Sequence, residues 1–195
     1  MPKLVQLARP LKMQRLTPVL RIRGVDVYVH WSVFAVAAVM ILGAIRQPIM
    51  TIVGLICYLS MLLLHECGHM IAAQRRGCRV EYIELYPIHG RCCFQTPWSR
   101  FDHCVIAWSG ILAQTVVAVP LVVYLAVFGY TRFEAVNAVL AILGGFSLLV
   151  AVINLIPLGR LDGTIAWYLV PEWIRRQRSR RAKQAAKRTT DWRTY

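Results

Sequence analysis

At 195 residues, 57% of them hydrophobic and only 16% charged, with a mean hydropathy of +0.51, the chain is more apolar and less charged than an average soluble domain. Its apolar content excludes disorder over the whole length, and the bunching of that content into long runs excludes an ordinary soluble α/β enzyme. The formal net charge of +14 would suit nucleic acid, but the basic residues gather at the two ends of an apolar body, the pattern of a membrane protein with both termini facing the cytoplasm.

The first 24 residues carry Lys3, Arg9, Lys12, Arg15, Arg21 and Arg23. No uninterrupted apolar stretch exists there, so no cleavable signal peptide is expected. Arg21–His30 alternates through Ile22, Val25, Val27 and Val29 and predicts a short strand. Four apolar runs then follow, at Val29–Ile45, Ile49–Ala73, Val105–Gly129 and Val136–Leu158, each near the 20 residues that a bilayer crossing needs. Between the second and third runs, Cys78–Phe94 carries Val80, Tyr82, Ile83, Leu85 and Tyr86 with Pro87 and Gly90, which predicts a hairpin or small sheet. The connection holding it contains Arg75, Arg76, Arg79, Arg91 and Arg100, whereas the short turns near Arg46 and Arg132 carry one arginine each. By the positive-inside rule both termini and the sheet are cytoplasmic and the two short turns lie outside. The fold class expected is an all-α polytopic membrane protein of about four transmembrane helices with a small β element between the second and third. A single domain is expected over 1–195, with its core at about 21–170. The basic segment 171–195 reads as a cytoplasmic tail resting on anionic headgroups, with Ala182, Ala185 and Ala186 favouring helix.

Six cysteines give no disulfide framework. Cys57 and Cys67 lie in an apolar run and Cys92 and Cys93 are adjacent, a poor arrangement for regular bridges. Those near the cytoplasmic face are expected to stay reduced.

The second run ends in His65-Glu66-Cys67-Gly68-His69, an H-E-x-x-H sequence. On a helix, positions i and i+4 share one face, so His65 and His69 can grip one metal ion. Glu66 sits about 100° round the helix, within reach of a water at that metal. Zinc lowers the pKa of its water to about 7, and a neighbouring carboxylate can take the proton as that water attacks a carbonyl. Roughly 0.003 such matches are expected by chance in a chain of this composition. Two histidines and a glutamate gluing helices together is the competing reading, and membrane burial makes it costly. Cys67 points away from the pair and reads as packing.

A two-histidine site needs a third protein ligand. The fourth run ends in Asn154-Leu155-Ile156-Pro157-Leu158-Gly159-Arg160-Leu161-Asp162-Gly163. Pro157 and Gly159 break the helix, and Asp162 can turn back at the depth of His65 and His69. Taken alone, Asp162 reads equally well as the N-cap of a helix over Thr164–Val170. Asn154 inside an apolar helix reads as interhelical glue or as a functional polar group.

H-E-x-x-H on one membrane helix and N-x-x-P-x-x-x-L-D-G at the end of a later one resemble the site-2 protease family of intramembrane zinc metalloproteases (peptidase family M50). Val29-His30-Trp31-Ser32 entering the first helix, the sheet after the metal helix, and Ser109-Gly110 in the third run are similar too. The resemblance spans about residues 21–170. It implies zinc held by His65, His69 and Asp162, with Glu66 as general base and Asn154 holding substrate or the developing oxyanion. It also implies regulated proteolysis of transmembrane protein substrates within the bilayer, with a bacterial or archaeal cell membrane as the expected location. Three features depart from the family pattern: Gly159 stands where a second proline is usual, Ile111 follows Gly110 in place of proline, and Gln114 replaces a nearby asparagine. The chain resembles a minimal form without a PDZ or regulatory domain.

His89, beside Gly90, reads as a turn histidine with a transient metal ligand as the alternative. Asp102-His103-Cys104 reads as an interfacial cap and His30 as an interface anchor. Two functions compete with the peptidase. One is a catalytically inactive metal-binding scaffold that holds a partner transmembrane helix, which would have no use for Glu66. The other is a zinc hydrolase acting on a lipid.

Overall fold

The computed structural model describes residues 18–44, 48–159 and 161–191. Lys3, Arg9, Lys12, Arg15, the turn at Arg46 and Gln47, Arg160 and Arg193 lie outside them. The chain begins with a hairpin, β1 (Leu20–Ile22) and β2 (Val25–Val29), turned at Arg23-Gly24. Helices α1 (Trp31–Gly43) and α2 (Pro48–Arg75) follow, then strands β3 (Val80–Leu85) and β4 (Gly90–Phe94), then α3 (Arg100–Phe128). A rod over Glu134–Asn154 comes next: α4 (Glu134–Val139), a π-helical segment (Leu140–Phe146) and α5 (Ser147–Asn154). After a broken turn come the short α6 (Gly163–Ala166) and the long α7 (Leu169–Asp191).

Three of these helices are long and apolar enough to cross a membrane: α2, α3 and the rod Glu134–Asn154. The first run is shorter than its apolarity suggested. Val29 belongs to β2, and His30 ends the strand by capping α1, its Nδ1 accepting from the Ser32 backbone N–H at 3.3 Å. The 13 residues that remain in α1 reach about 20 Å, against a hydrocarbon core of about 30 Å. His30 is therefore a helix cap that also stacks on Tyr86 at 4.8 Å.

The expected small sheet has four strands, because the hairpin before α1 joins it. Its order is β1-β2-β3-β4, with β2 and β3 parallel and the outer pairs antiparallel. Parallel neighbours need a crossover connection, and α1 with α2 provides it by going out and returning. The segment before α1 and the segment after α2 thus share one end of the helical bundle. One face of the sheet packs on α2: Val25, Val27, Ile83 and Leu85 join Met61, Leu62 and Met70 in one buried cluster, placed there by the two-residue alternation of each strand. Because β3 is interior, the free edge next to α2 belongs to β4. Tyr58 donates to the Pro87 carbonyl at 2.7 Å and pins the β3–β4 turn to α2. All six cysteines are free.

Candidate metal centre

His65 and His69 are buried on the C-terminal half of α2, one turn apart as their spacing requires. Asp162 reaches them from the turn between α5 and α6. Its Oδ2 lies 2.9 Å from His65 Nε2 and 3.2 Å from His69 Nε2, and the two Nε2 atoms are 3.0 Å apart. Among the described residues, these three side chains form the cluster able to hold a metal ion. Asp162 occupies the N-cap position of α6 but makes no side-chain cap hydrogen bond. The capping alternative therefore does not describe its side chain.

The other ring nitrogens decide what the triangle can bind. His69 Nδ1 lies 2.7 Å from the Ile106 carbonyl, which can only accept, so Nδ1 carries the proton and Nε2 presents a lone pair. His65 Nδ1 donates in the same way to Gln114 Oε1 at 2.9 Å. Two lone pairs and a carboxylate oxygen then face one another in a buried space. Asp162 Oδ2 has no hydrogen-bond partner there among the described residues. Three converging acceptors without a proton between them repel, and a cation at their centre removes the repulsion. A tetrahedral ion bonded at about 2.0–2.1 Å has ligand-to-ligand edges of roughly 3.3 Å, close to the observed triangle. The residues fit a metal ion.

Glu66, buried on the next position of α2, faces β4. A side chain at Gly90 would place its Cβ 2.5 Å from Glu66 Oε1 and 2.7 Å from Cδ, so only glycine lets the strand lie over the carboxylate. Gly110, ten residues into α3, has the equivalent role for the histidines. A Cβ there would meet His69 Nε2 at 2.5 Å and His65 Cε1 at 2.9 Å.

Gly159 explains one departure noted in the sequence. Its φ is +58°, a left-handed conformation closed to proline, whose ring fixes φ near −65°. The turn carrying Asp162 is thus built on a different geometry from a two-proline turn, and the glycine is a requirement of it. Gly159→Pro should move Asp162 out of the triangle and lower bound metal at least about tenfold at a limiting supply of divalent ion, measured by elemental analysis of purified protein.

A cavity of about 730 Å³ opens beside the triangle, in the size range of small-ligand clefts. Tyr58, Met61, Phe146, Val150 and Ile153 supply apolar lining, and Asn154, Gln114, His89 and His103 supply polar lining. Asn154 therefore faces the same space as the cluster. His89 also lines the cavity and stacks on Tyr86 at 4.9 Å, but is not a member of the cluster. Asp102 pairs with Arg76 at 2.6 Å, while Ser99 caps α3 by accepting from the Asp102 backbone N–H. Cys67 packs against the sheet-side core. Gln114 and the Ile106 carbonyl were not assigned roles from sequence. Gln114 had a signal, since an amide in an apolar run is costly unless paired. A backbone carbonyl has none.

No protein-family model matches the sequence, and no curated protein matches it. Among solved structures, the chain is similar to the site-2 protease from Methanocaldococcus jannaschii. The two are 22% identical, the match covers 80% of this chain and 71% of that one, and the TM-score is 0.63. At that identity the likeness is one of fold. Its membrane-length helices and small mixed sheet make this chain a polytopic membrane protein with a site-2-protease-like fold.

Proposed function

We propose that the chain is an intramembrane zinc metalloprotease that hydrolyses peptide bonds in or near the transmembrane segments of membrane proteins. The observation that carries this reading is the triangle of His65, His69 and Asp162 with both Nδ1 protons turned outward and Glu66 alongside. The two histidines and the carboxylate would hold zinc, a donor set that suits the ion. When bound, zinc supplies Lewis acidity, which ionises water near neutral pH and polarises a carbonyl.

The chain's own residues do the rest. Glu66 accepts the proton of the attacking water as oxygen bonds to the scissile carbonyl carbon. It then passes that proton to the amide nitrogen as the carbon–nitrogen bond breaks, leaving a new carboxylate and a new amine. Asn154 donates to the carbonyl oxygen while negative charge develops there. Gln114, whose Nε2 is buried without a partner among the described residues, stands in the same wall and holds His65. A helical substrate hides its carbonyls in its own hydrogen bonds and must unwind before attack. The free edge of β4, above Glu66, can take the unwound strand by β-augmentation. We further propose that 1–195 acts as one domain with both termini and the sheet on the cytoplasmic side.

The test is cleavage of a purified single-pass membrane protein by the detergent-solubilised chain. Activity should be lost by at least about a hundredfold after chelation and restored by zinc, with the cut mapped by mass spectrometry in or beside the apolar segment. Zinc bound at one per chain without any cleavage would overturn the reading in favour of a scaffold, and release of fatty acid from phospholipid instead of peptide would point to a lipid hydrolase.

A further inference from the structure

Helix α7 has two faces with different partners. Leu169, Glu172 and Arg176 face α3. Leu169 and Glu172 are half-buried, and the Arg176 guanidinium lies 4.8 Å from the centre of the Phe101 ring, which Arg76 approaches at 5.6 Å. At 100° per residue, Val170, Trp173, Ile174, Gln177, Arg178 and Arg181 fall on the opposite side within about 140° of arc. Of these, Trp173, Ile174, Gln177, Arg178 and Arg181 line one shallow groove. The stripe changes character along the helix. Its start is apolar and open, with Val170 59%, Trp173 53% and Ile174 41% exposed. It becomes basic by Arg181, about 16 Å further on. Among the described residues, Arg178, Arg180, Arg181 and Lys183 have no carboxylate partner, whereas Arg175 pairs with Glu172 at 3.3 Å.

Apolar side chains followed by unpaired arginines at that spacing match the order of a phospholipid, acyl chain first and phosphate next. A solvated helix would not leave a tryptophan and an isoleucine open on one face, and a nucleic acid has no use for them at the membrane end of a basic stripe. Arginine pairs with phosphate oxygens through its planar fork, and interfacial tryptophan is at home beside headgroups. From these observations we infer that the outer face of α7 is a binding site for anionic phospholipid, with Trp173 and Ile174 against the acyl chain and Arg178 and Arg181 on the headgroup phosphate. The site is tied to the metal centre through the chain itself. Trp167, just before α7, donates to the Leu155 carbonyl at 2.7 Å, and Trp108 of α3 donates to the Ala166 carbonyl at 2.9 Å. These bonds hold both ends of the segment that carries Asp162.

The experiment is native mass spectrometry of the detergent-purified full chain titrated with phosphatidylglycerol or phosphatidylcholine. Wild-type protein should retain phosphatidylglycerol in preference. Arg178→Gln with Arg181→Gln should reduce that preference roughly thirtyfold, the value of two interfacial arginines. Arg180→Gln with Lys183→Gln removes the same charge from other faces and should leave the preference within about twofold. Equal loss in both double variants would overturn the site in favour of diffuse charge, and equal retention of the two lipids by wild type would overturn it outright. Binding of a labelled oligonucleotide that phosphatidylglycerol fails to displace would assign the stripe to nucleic acid. None of these readings depends on proteolysis, so the inference stands or falls apart from the proposed activity.

Discussion

Replacing His65, His69 or Asp162 singly by alanine should remove zinc from the purified protein, each by at least about a hundredfold in affinity, while Glu66→Gln should keep one zinc per chain. The three donor atoms lie 2.9–3.2 Å apart, and no other described side chain completes the cluster. Loss of one ligand leaves two, too few for a tight site. Glu66 is beside the triangle and is not a member of it, so the amide should retain metal while losing the base. Elemental analysis after dialysis against a weak chelator reads the difference. Full zinc in Asp162→Ala would remove Asp162 from the ligand set.

The second large effect is at a residue with no functional group. Gly110→Ala should abolish zinc binding as completely as loss of a histidine, although every ligand remains. The added methyl would stand 2.5 Å from His69 Nε2 and 2.6 Å from its Cε1, well inside van der Waals contact. Either α3 moves away from α2 or both imidazoles rotate, and in each case the Nδ1 bonds to Gln114 and Ile106 are lost with the triangle. Zinc content and thermal unfolding, measured together, check this. A variant that holds zinc and unfolds like wild type would show that α3 does not constrain the histidines.

The H-E-x-x-H pair was legible because its spacing maps directly onto one face of a helix, and helix α2 needed nothing beyond apolar length. Asp162 was different. Its local sequence fits a cap as well as a ligand, and only the fold, which carries the turn after α5 back to α2, brings its carboxylate beside the two imidazoles. The strands were visible from their alternation, but the parallel pairing of β2 with β3 was not. It joins segments more than 50 residues apart, and nothing in either segment's pattern names its partner. The shortfall of α1 has a similar origin, since apolarity does not distinguish the end of a strand from the start of a helix and the cap at His30 does. The closeness of Gly90 to Glu66 and of Gly110 to the histidines depends on how strand and helices meet, which single-chain spacing does not carry.

The most direct test of the account is one preparation in which zinc content and cleavage are measured together, for wild type and Glu66→Gln, on a single-pass membrane substrate. With zinc at one per chain in both, wild type should cut the substrate and Glu66→Gln should be slower by at least about a thousandfold, the loss expected when a positioned base is removed from a site that keeps its metal. Cleavage by Glu66→Gln at the wild-type rate, with zinc fully present, would contradict it.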